Sequence, residues 1–330
     1  MPYQSERCAA LDAVLHACRL CITVQANLVA GTTLTKDDRS PVTVADYGAQ
    51  AVVAHLLGRA FPEIPMVGEE DAGALRDPAN AALLGKVLAN VDQVLPGLTP
   101  EQVLTAIDRG THAGGDRGRH WTLDPIDGTK GFLRLDQYAV ALALIEDGEV
   151  VLGVLGCPNL PHDAARPEAG VGCLFVAVRG EGAFLRTLDD PAERPVHVTA
   201  VDDPAAARFC ESVEKAHSSQ SDSARVAEAL GITAAPFRID SQCKYAAVAR
   251  GDASIYLRLP TRKDYVEKIW DHAAGWAVIT EAGGKVSDVH GRSLDFSRGR
   301  TLARNQGVLV TNGRLHDRVV AAVREVLGLD

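Results

Sequence analysis

The chain has 330 residues, 46% of them hydrophobic and 23% charged, with a net charge of −9 and a pI near 5.6. That length suits one large domain or two of ordinary size. The acidic balance excludes the basic surface that nucleic acid requires, and no apolar run reaches the length of a membrane span, so neither is expected as a partner.

Residues 4–33 carry apolar side chains at Leu11, Val14, Leu15, Cys18, Cys21 and Ile22, one face of a helix ending near Gly31. This start has no basic segment followed by an apolar core, so no secretory signal is expected. Lys36–Pro41 reads as a polar turn. Val42–Asp46 opens a second helix continuing through Leu57, and Phe61–Val67 leads into a short strand. Helices are predicted over 78–94 and 99–108, then a glycine-rich loop, Gly110–Gly118. Trp121–Leu123 reads as the end of a strand that Asp124-Pro125 breaks. Asp147-Gly148 between apolar runs predicts a hairpin of 138–146 with 149–157, and a second strand pair flanks Gly180-Glu181-Gly182. Helices with antiparallel strands make residues 1–193 an α+β domain. The boundary is placed in the polar stretch Asp189–Pro195. Beyond it, strand and helix alternate through strands at 207–212, 237–240, 253–257, 284–288 and 307–311 and helices at 221–230, 243–249, 271–282 and 315–327. Residues 194–330 therefore read as an α/β domain.

The seven cysteines, Cys8, Cys18, Cys21, Cys157, Cys173, Cys210 and Cys243, are odd in number and lack zinc spacing. They point to a reducing compartment, so the cytoplasm is expected, or an organelle if a transit peptide has been removed. Cys157 and Cys173 fall near each other on predicted strands, and two separate buried thiols are favoured over a disulfide.

The chemistry centres on Trp121–Phe132, WTLDPIDGTKGF. Asp124 and Asp127 sit three residues apart on a sharp bend. Pro125 fixes one φ, and Gly128 allows a ligand close to the backbone. Hard divalent cations take such carboxylates together with substrate phosphate, and the amides of Gly128, Thr129 and Lys130 suit a phosphate. Alone, the pair would be an ordinary acidic turn. Three further stretches accompany it: Val67-Gly-Glu-Glu-Asp71, in which Glu69 follows an apolar strand while Glu70 and Asp71 read as surface acids; Trp270-Asp-His-Ala-Ala-Gly275, in which Asp271 is a candidate helix N-cap; and Pro41-Val-Thr-Val-Ala-Asp46.

This ordered set resembles the lithium-sensitive, magnesium-dependent phosphatase superfamily that includes inositol monophosphatase, from about residue 5 to 325. The resemblance implies a layered α/β/α/β/α sandwich of the inositol monophosphatase and sugar phosphatase type. It implies two or three Mg²⁺ held by Glu69, Asp124, the carbonyl of Ile126, Asp127 and Asp271, and inhibition by Li⁺. It also implies that Thr129 and Asp46 take a proton from an attacking water, with no covalent phosphoenzyme. Three later stretches, Glu211–Ser219, Asp240–Tyr245 and Ile255–Pro260 followed by Glu267–Asp271, resemble the 3'(2'),5'-bisphosphate nucleotidase branch. That branch converts adenosine 3',5'-bisphosphate (PAP) to AMP and can act similarly on 3'-phosphoadenylyl sulfate (PAPS), which implies a role in sulfur metabolism. An inositol phosphate is the alternative substrate. Lys244 and Arg258 offer charge for a 5'-phosphate. His217, Ser218 and Ser241 offer polar contacts to base or ribose, with Gly128, Thr129 and Asp271 also lining the substrate. A monomer is expected, with a dimer allowed. The arginines at 292, 298, 300 and 304 acquire no role.

Overall fold

The computed structural model describes residues 2–30, 40–213, 219–262 and 265–329. The polar turn predicted at 36–41 falls mostly outside them, as do His217 and Ser218. The apolar stripe of the first helix builds α1 (Gln4–Ala30), with Leu11, Val14, Cys18 and Cys21 buried and Ile22 left exposed. α2 (Ser40–Ala60) lies against it. One expectation fails here. Gln4–Asn27 is long and apolar enough to cross a membrane, because several alanines and cysteines keep its charge sparse. In this fold it is a core helix, packed on α2 and on the first sheet.

β1 (Met66–Gly68) pairs in parallel with β2 (Arg119–Asp127), Gly68 standing beside Leu123. α3 (Ala81–Val94) and α4 (Pro100–Asp108) intervene, the latter opened by a Thr99–Gln102 capping box. Pro125 does not break β2. The strand runs on to Asp127 through a bulge, Asp124 facing Ala141 and Asp127 facing Ala139 of β3 (Ala139–Glu146). Proline has no amide to give a ladder, and a bulge is where a strand tolerates it. After the single turn α5 (Thr129–Leu133), β3 and β4 (Glu149–Pro161) form the predicted hairpin. Asp147 and Gly148 both have positive φ, the twist that a two-residue hairpin turn requires. β5 (Val171–Val178), β6 (Gly182–Thr187) and β7 (Arg194–Pro195) follow, so the first sheet runs β1 to β7 in chain order among the described residues. Cys157 and Cys173 stand opposite each other on β4 and β5, both buried free thiols, as favoured from the sequence.

The second sheet has the order β11-β12-β10-β8-β9: β8 (Phe209–Glu211), β9 (Phe237–Arg238), β10 (Ile255–Arg258), β11 (Lys285–Ser287) and β12 (Val308–Thr311). The helices are α6 (Gln220–Ala229), α7 (Cys243–Arg250), α8 (Ala273–Glu281) and α9 (His316–Leu327). Strand alternation divides the apolar side chains among three clusters. Trp121, Leu123, Val140 and Leu142 face α1 and α2. Ala139, Ala141 and Ala143 face α7 and α8, which also receive Tyr256 and Val310 from the second sheet. Ile255, Leu257 and Leu309 face α9. The result is the expected α/β/α/β/α layering.

Layers this close leave no room for an added methyl on the middle helices. A Cβ at Gly275 of α8 would lie 2.3 Å from the Tyr245 ring, and Tyr245 is held in place by a 2.7 Å hydrogen bond to His272 Nδ1. Gly275→Ala gains about 1 kcal/mol of helix propensity, but overpacking costs about 1–3 kcal/mol or more. A net loss of stability is expected, read as a lower urea midpoint with unchanged m-value.

Candidate active site

Four of the predicted acids meet in one cleft of about 570 Å³, lined among others by Glu69, Asp124, Asp127 and Asp271 together with Ile126, Gly128 and Thr129. Parallel pairing explains the first contact. β1 and β2 end on the same edge, so the residues after Gly68 and Leu123, Glu69 and Asp124, emerge side by side, and the Glu69 amide donates to Leu123 O at 3.3 Å. The bulge brings Asp127 back to that edge, where its Oδ2 accepts the Gln242 amide at 2.5 Å. Gly128 takes φ 93°, and a Cβ there would lie 2.8 Å from the Ser241 Cβ, so only glycine lets the two segments touch.

Asp271 is not the N-cap of α8. His272 occupies that position, with no side-chain cap bond, because the chain makes one further turn before the helix begins. The Asp271 carboxylate is thereby left facing the cleft, where it accepts from Arg258 Nη2 at 3.3 Å. Arg258 also forks onto Glu267, through Nε at 3.0 Å and Nη2 at 2.9 Å. Glu267 Oε2 contacts His272 Nε2 at 3.1 Å. Burial pushes the Glu267 carboxyl up, but the hydrogen bond with His272 and the Arg258 charge hold it down to about 2. Glu267, Asp271 and His272 converge within 4.8 Å. With the guanidinium between them they form a charge-paired network rather than a cation cage.

The remaining acids are raised on balance, Asp127 even against the charges of Lys244 and Arg258. Burial, then the charges of Asp271 and Glu70, push the Glu69 carboxyl up to about 7 against a hydrogen bond with Asp124. Burial and the neighbouring acids, Glu69 first, raise Asp124 well above its ordinary value. Burial followed by Asp271 raises Asp127. Burial, Glu69 and Glu70 raise Asp46 on α2. Asp124 Oδ1 is buried without a hydrogen-bond partner. A buried orphan oxygen inside an all-oxygen acidic cluster fits a hard divalent cation such as Mg²⁺.

Thr129 lies exposed on the cleft wall at the start of α5, and α2, which carries Asp46, packs on α5. Lys244 and Ser241 line a recess beside the cleft, together with Gly128, Asp127 and Asp240. Lys244 is buried, its ammonium 5.1 Å from the Tyr256 ring centre. Burial pulls its pKa down while Asp127 holds it up. Neither Lys244 nor Arg258 is a surface charge. Glu70, read as a surface acid, is half-buried, and Gln50 holds its backbone through bonds of 3.1 Å to the amide and 2.6 Å from Nε2 to the carbonyl. Asp71 is exposed as expected. Sequence reasoning missed Gln242, whose amide holds Asp127 and whose Nε2 donates to Trp270 O at 2.9 Å. It also gave Glu267 no role. A buried amide or acid serving another residue's backbone leaves no local pattern to find.

The inositol monophosphatase family profile matches residues 4–327. The chain belongs to the inositol monophosphatase family. Members of this family are generally metal-dependent phosphatases, commonly with Mg²⁺. The chain is 47% identical over 353 residues to a 3'(2'),5'-bisphosphate nucleotidase of Emericella nidulans, covering 100% of both chains. It is 44% identical to the Schizosaccharomyces pombe protein of that name, covering 100% of this chain and 98% of the other. The inositol monophosphatase of Anabaena superposes with TM-score 0.64 at 20% identity, covering 98% and 97%. SuhB of Mycobacterium tuberculosis superposes at 0.62 and 20%, covering 98% and 97%. The family fold thus extends over nearly the whole chain.

Raised carboxyls make the metal-free protein pH-sensitive. The Glu69 carboxyl moves from about 4.3 in the unfolded chain to about 7 in the folded protein. The folded state therefore binds more protons across that window, and its contribution to stability is complete below pH 4.3 and lost as pH rises through 7. Thermal unfolding of metal-free protein is expected to show this contribution falling between pH 5 and 8, and Mg²⁺ is expected to flatten the slope.

Proposed function

We propose that this cleft hydrolyses the 3'-phosphate of PAP, giving AMP and phosphate, and acts likewise on PAPS. The observation that carries the reading is the meeting of Glu69, Asp124, Asp127 and Asp271 in one cleft with an orphan Asp124 oxygen, beside a recess that Lys244 and Arg258 line together with Asp127 and Asp240. The whole-length likeness to proteins named bisphosphate nucleotidases supports the nucleotide over an inositol phosphate.

In this reading the four carboxylates and the Ile126 carbonyl hold two or three Mg²⁺, which when bound supply charge for the phosphate oxygens and the leaving alkoxide. Thr129 and Asp46 orient the attacking water, and Asp46 takes its proton. Attack is in line, and no side chain forms a bond to phosphorus. Lys244 supplies the counter-charge for the 5'-phosphate. Arg258, whose fork is engaged by Glu267, contributes field rather than a full bidentate contact. His217, Ser218 and Ser241 contact ribose or base. Li⁺ inhibits by entering the acidic cluster. Turnover of these nucleotides would serve sulfur metabolism. The seven free thiols suit a reducing cytoplasm or organelle stroma, and a monomer suffices.

Phosphate release with Mg²⁺ is expected to favour PAP over inositol 1-phosphate by about 10-fold or more, the worth of one charge-assisted anion contact, and to fall with millimolar Li⁺. Preference for the inositol ester would overturn the substrate. Asp46→Asn is expected to cut kcat by about 10² or more while leaving the KM for PAP nearly unchanged. Full activity in that variant would remove Asp46 from the mechanism.

A further inference from the structure

Arg300 lies in a segment whose arginines acquired no role from sequence. Its guanidinium donates to three backbone carbonyls: Nη2 to Gly68 O at 2.5 Å, and Nη1 to Gly110 O at 3.0 Å and His112 O at 3.1 Å. Its central carbon lies 4.8 Å from the Trp270 ring centre. Gly68 immediately precedes Glu69, and Trp270 immediately precedes Asp271. The backbone beside it is fastened as well. Ile269 N donates to Arg300 O at 3.2 Å, and Leu302 N donates to Glu267 O at 2.9 Å.

Glu69 and Asp271 come from different parts of the chain, one from the end of β1 and one from the lead into α8. Their charges repel, Asp271 being one of the groups that push Glu69 up. Gln242 already ties Trp270 to Asp127 on one side. On the other side the side-chain link is Arg300, spanning from the Gly68 carbonyl to the Trp270 face. Only a planar fork with several fixed donors and a stacking surface makes both contacts at once. A lysine has one point charge and neither property.

We propose that Arg300 is a positioning residue that sets the spacing of Glu69 and Asp271, and through it the affinity of the cleft for divalent cations. The proposal rests on the metal-holding reading of these carboxylates. Its guanidinium is spent on neutral carbonyls and a ring, so the effect is geometric rather than charge compensation.

The test compares full-length wild type with R300M and R300K. The measurements are Mn²⁺ binding without substrate by electron paramagnetic resonance, the Mg²⁺ activation curve, the KM for PAP at saturating Mg²⁺, and urea unfolding. Loss of an outer-shell partner typically weakens metal binding about 10- to 100-fold, so R300M is expected to bind Mn²⁺ at least about 10-fold more weakly, with KM at saturating metal within about twofold. R300K, which keeps the charge and carries the test should R300M fail to fold, is expected to move the same way by less. A merely structural role would lower the urea midpoint and leave the metal affinity of folded protein untouched. A folded variant of either kind with wild-type Mn²⁺ affinity overturns the proposal. A wild type that binds no Mn²⁺ overturns the reading of the cleft itself, and this proposal with it.

Discussion

Repulsion among carboxylates that the fold forces together is the constraint from which the rest of this structure follows. Glu69, Asp124, Asp127 and Asp271 line one cleft, and burial raises the carboxyl pKa of each and of Asp46. Left alone, such a group either takes up protons or pushes its segments apart. The surrounding scaffold prevents the second outcome. Backbone amides, buried amide side chains and arginines hold the segments, and Arg258 also offsets the charge of Glu267 and Asp271.

Each acid is held by a different device. Parallel pairing of β1 and β2 fixes Glu69 beside Asp124, and Gln50 grips the chain just after Glu69. The β2 bulge turns Asp127 toward the Gln242 amide. Arg258 and His272 hold Glu267, and Arg258 reaches Asp271 from the same fork. These anchors come from both sheets and from the helices between them, so the site depends on the packing of the two sheets through those helices. The layering also places small residues, Ala139, Ala141 and Ala143, where α8 packs against the first sheet, and this brings Asp271 within reach.

The inositol monophosphatase of Anabaena and SuhB of Mycobacterium tuberculosis, each with about a fifth of their residues in common with this chain, share this fold over nearly the full chain. Such tolerance has a physical basis. The five layers require only apolar alternation and short connections, which many sequences satisfy. The acidic edge requires particular residues at particular strand ends. The recess at Lys244 and Ser241 draws Asp127, Gly128 and Lys130 from the acidic edge and Lys244, Tyr256 and Arg258 from later elements.

Much of this was legible in the residues alone. Apolar periodicity marked nearly every element, Asp147-Gly148 marked its hairpin, and the motifs around Glu69, Asp124, Asp127 and Asp271 marked the acids through their resemblance to a known family. These are local signals, carried by a few adjacent side chains and the dihedrals they prefer. The bulge that keeps Pro125 within β2, the displacement of Asp271 from the N-cap, the burial of Glu70 and the burial of α1 were decided only on folding. So were the clamps of Gln50, Gln242 and Arg300, which join residues as far apart as Gly68 and Arg300. Sequence determined which groups could bear the chemistry, because that is set by covalent identity. Tertiary packing alone decided which of them share a dielectric and a partner, because those depend on distances that no local pattern encodes.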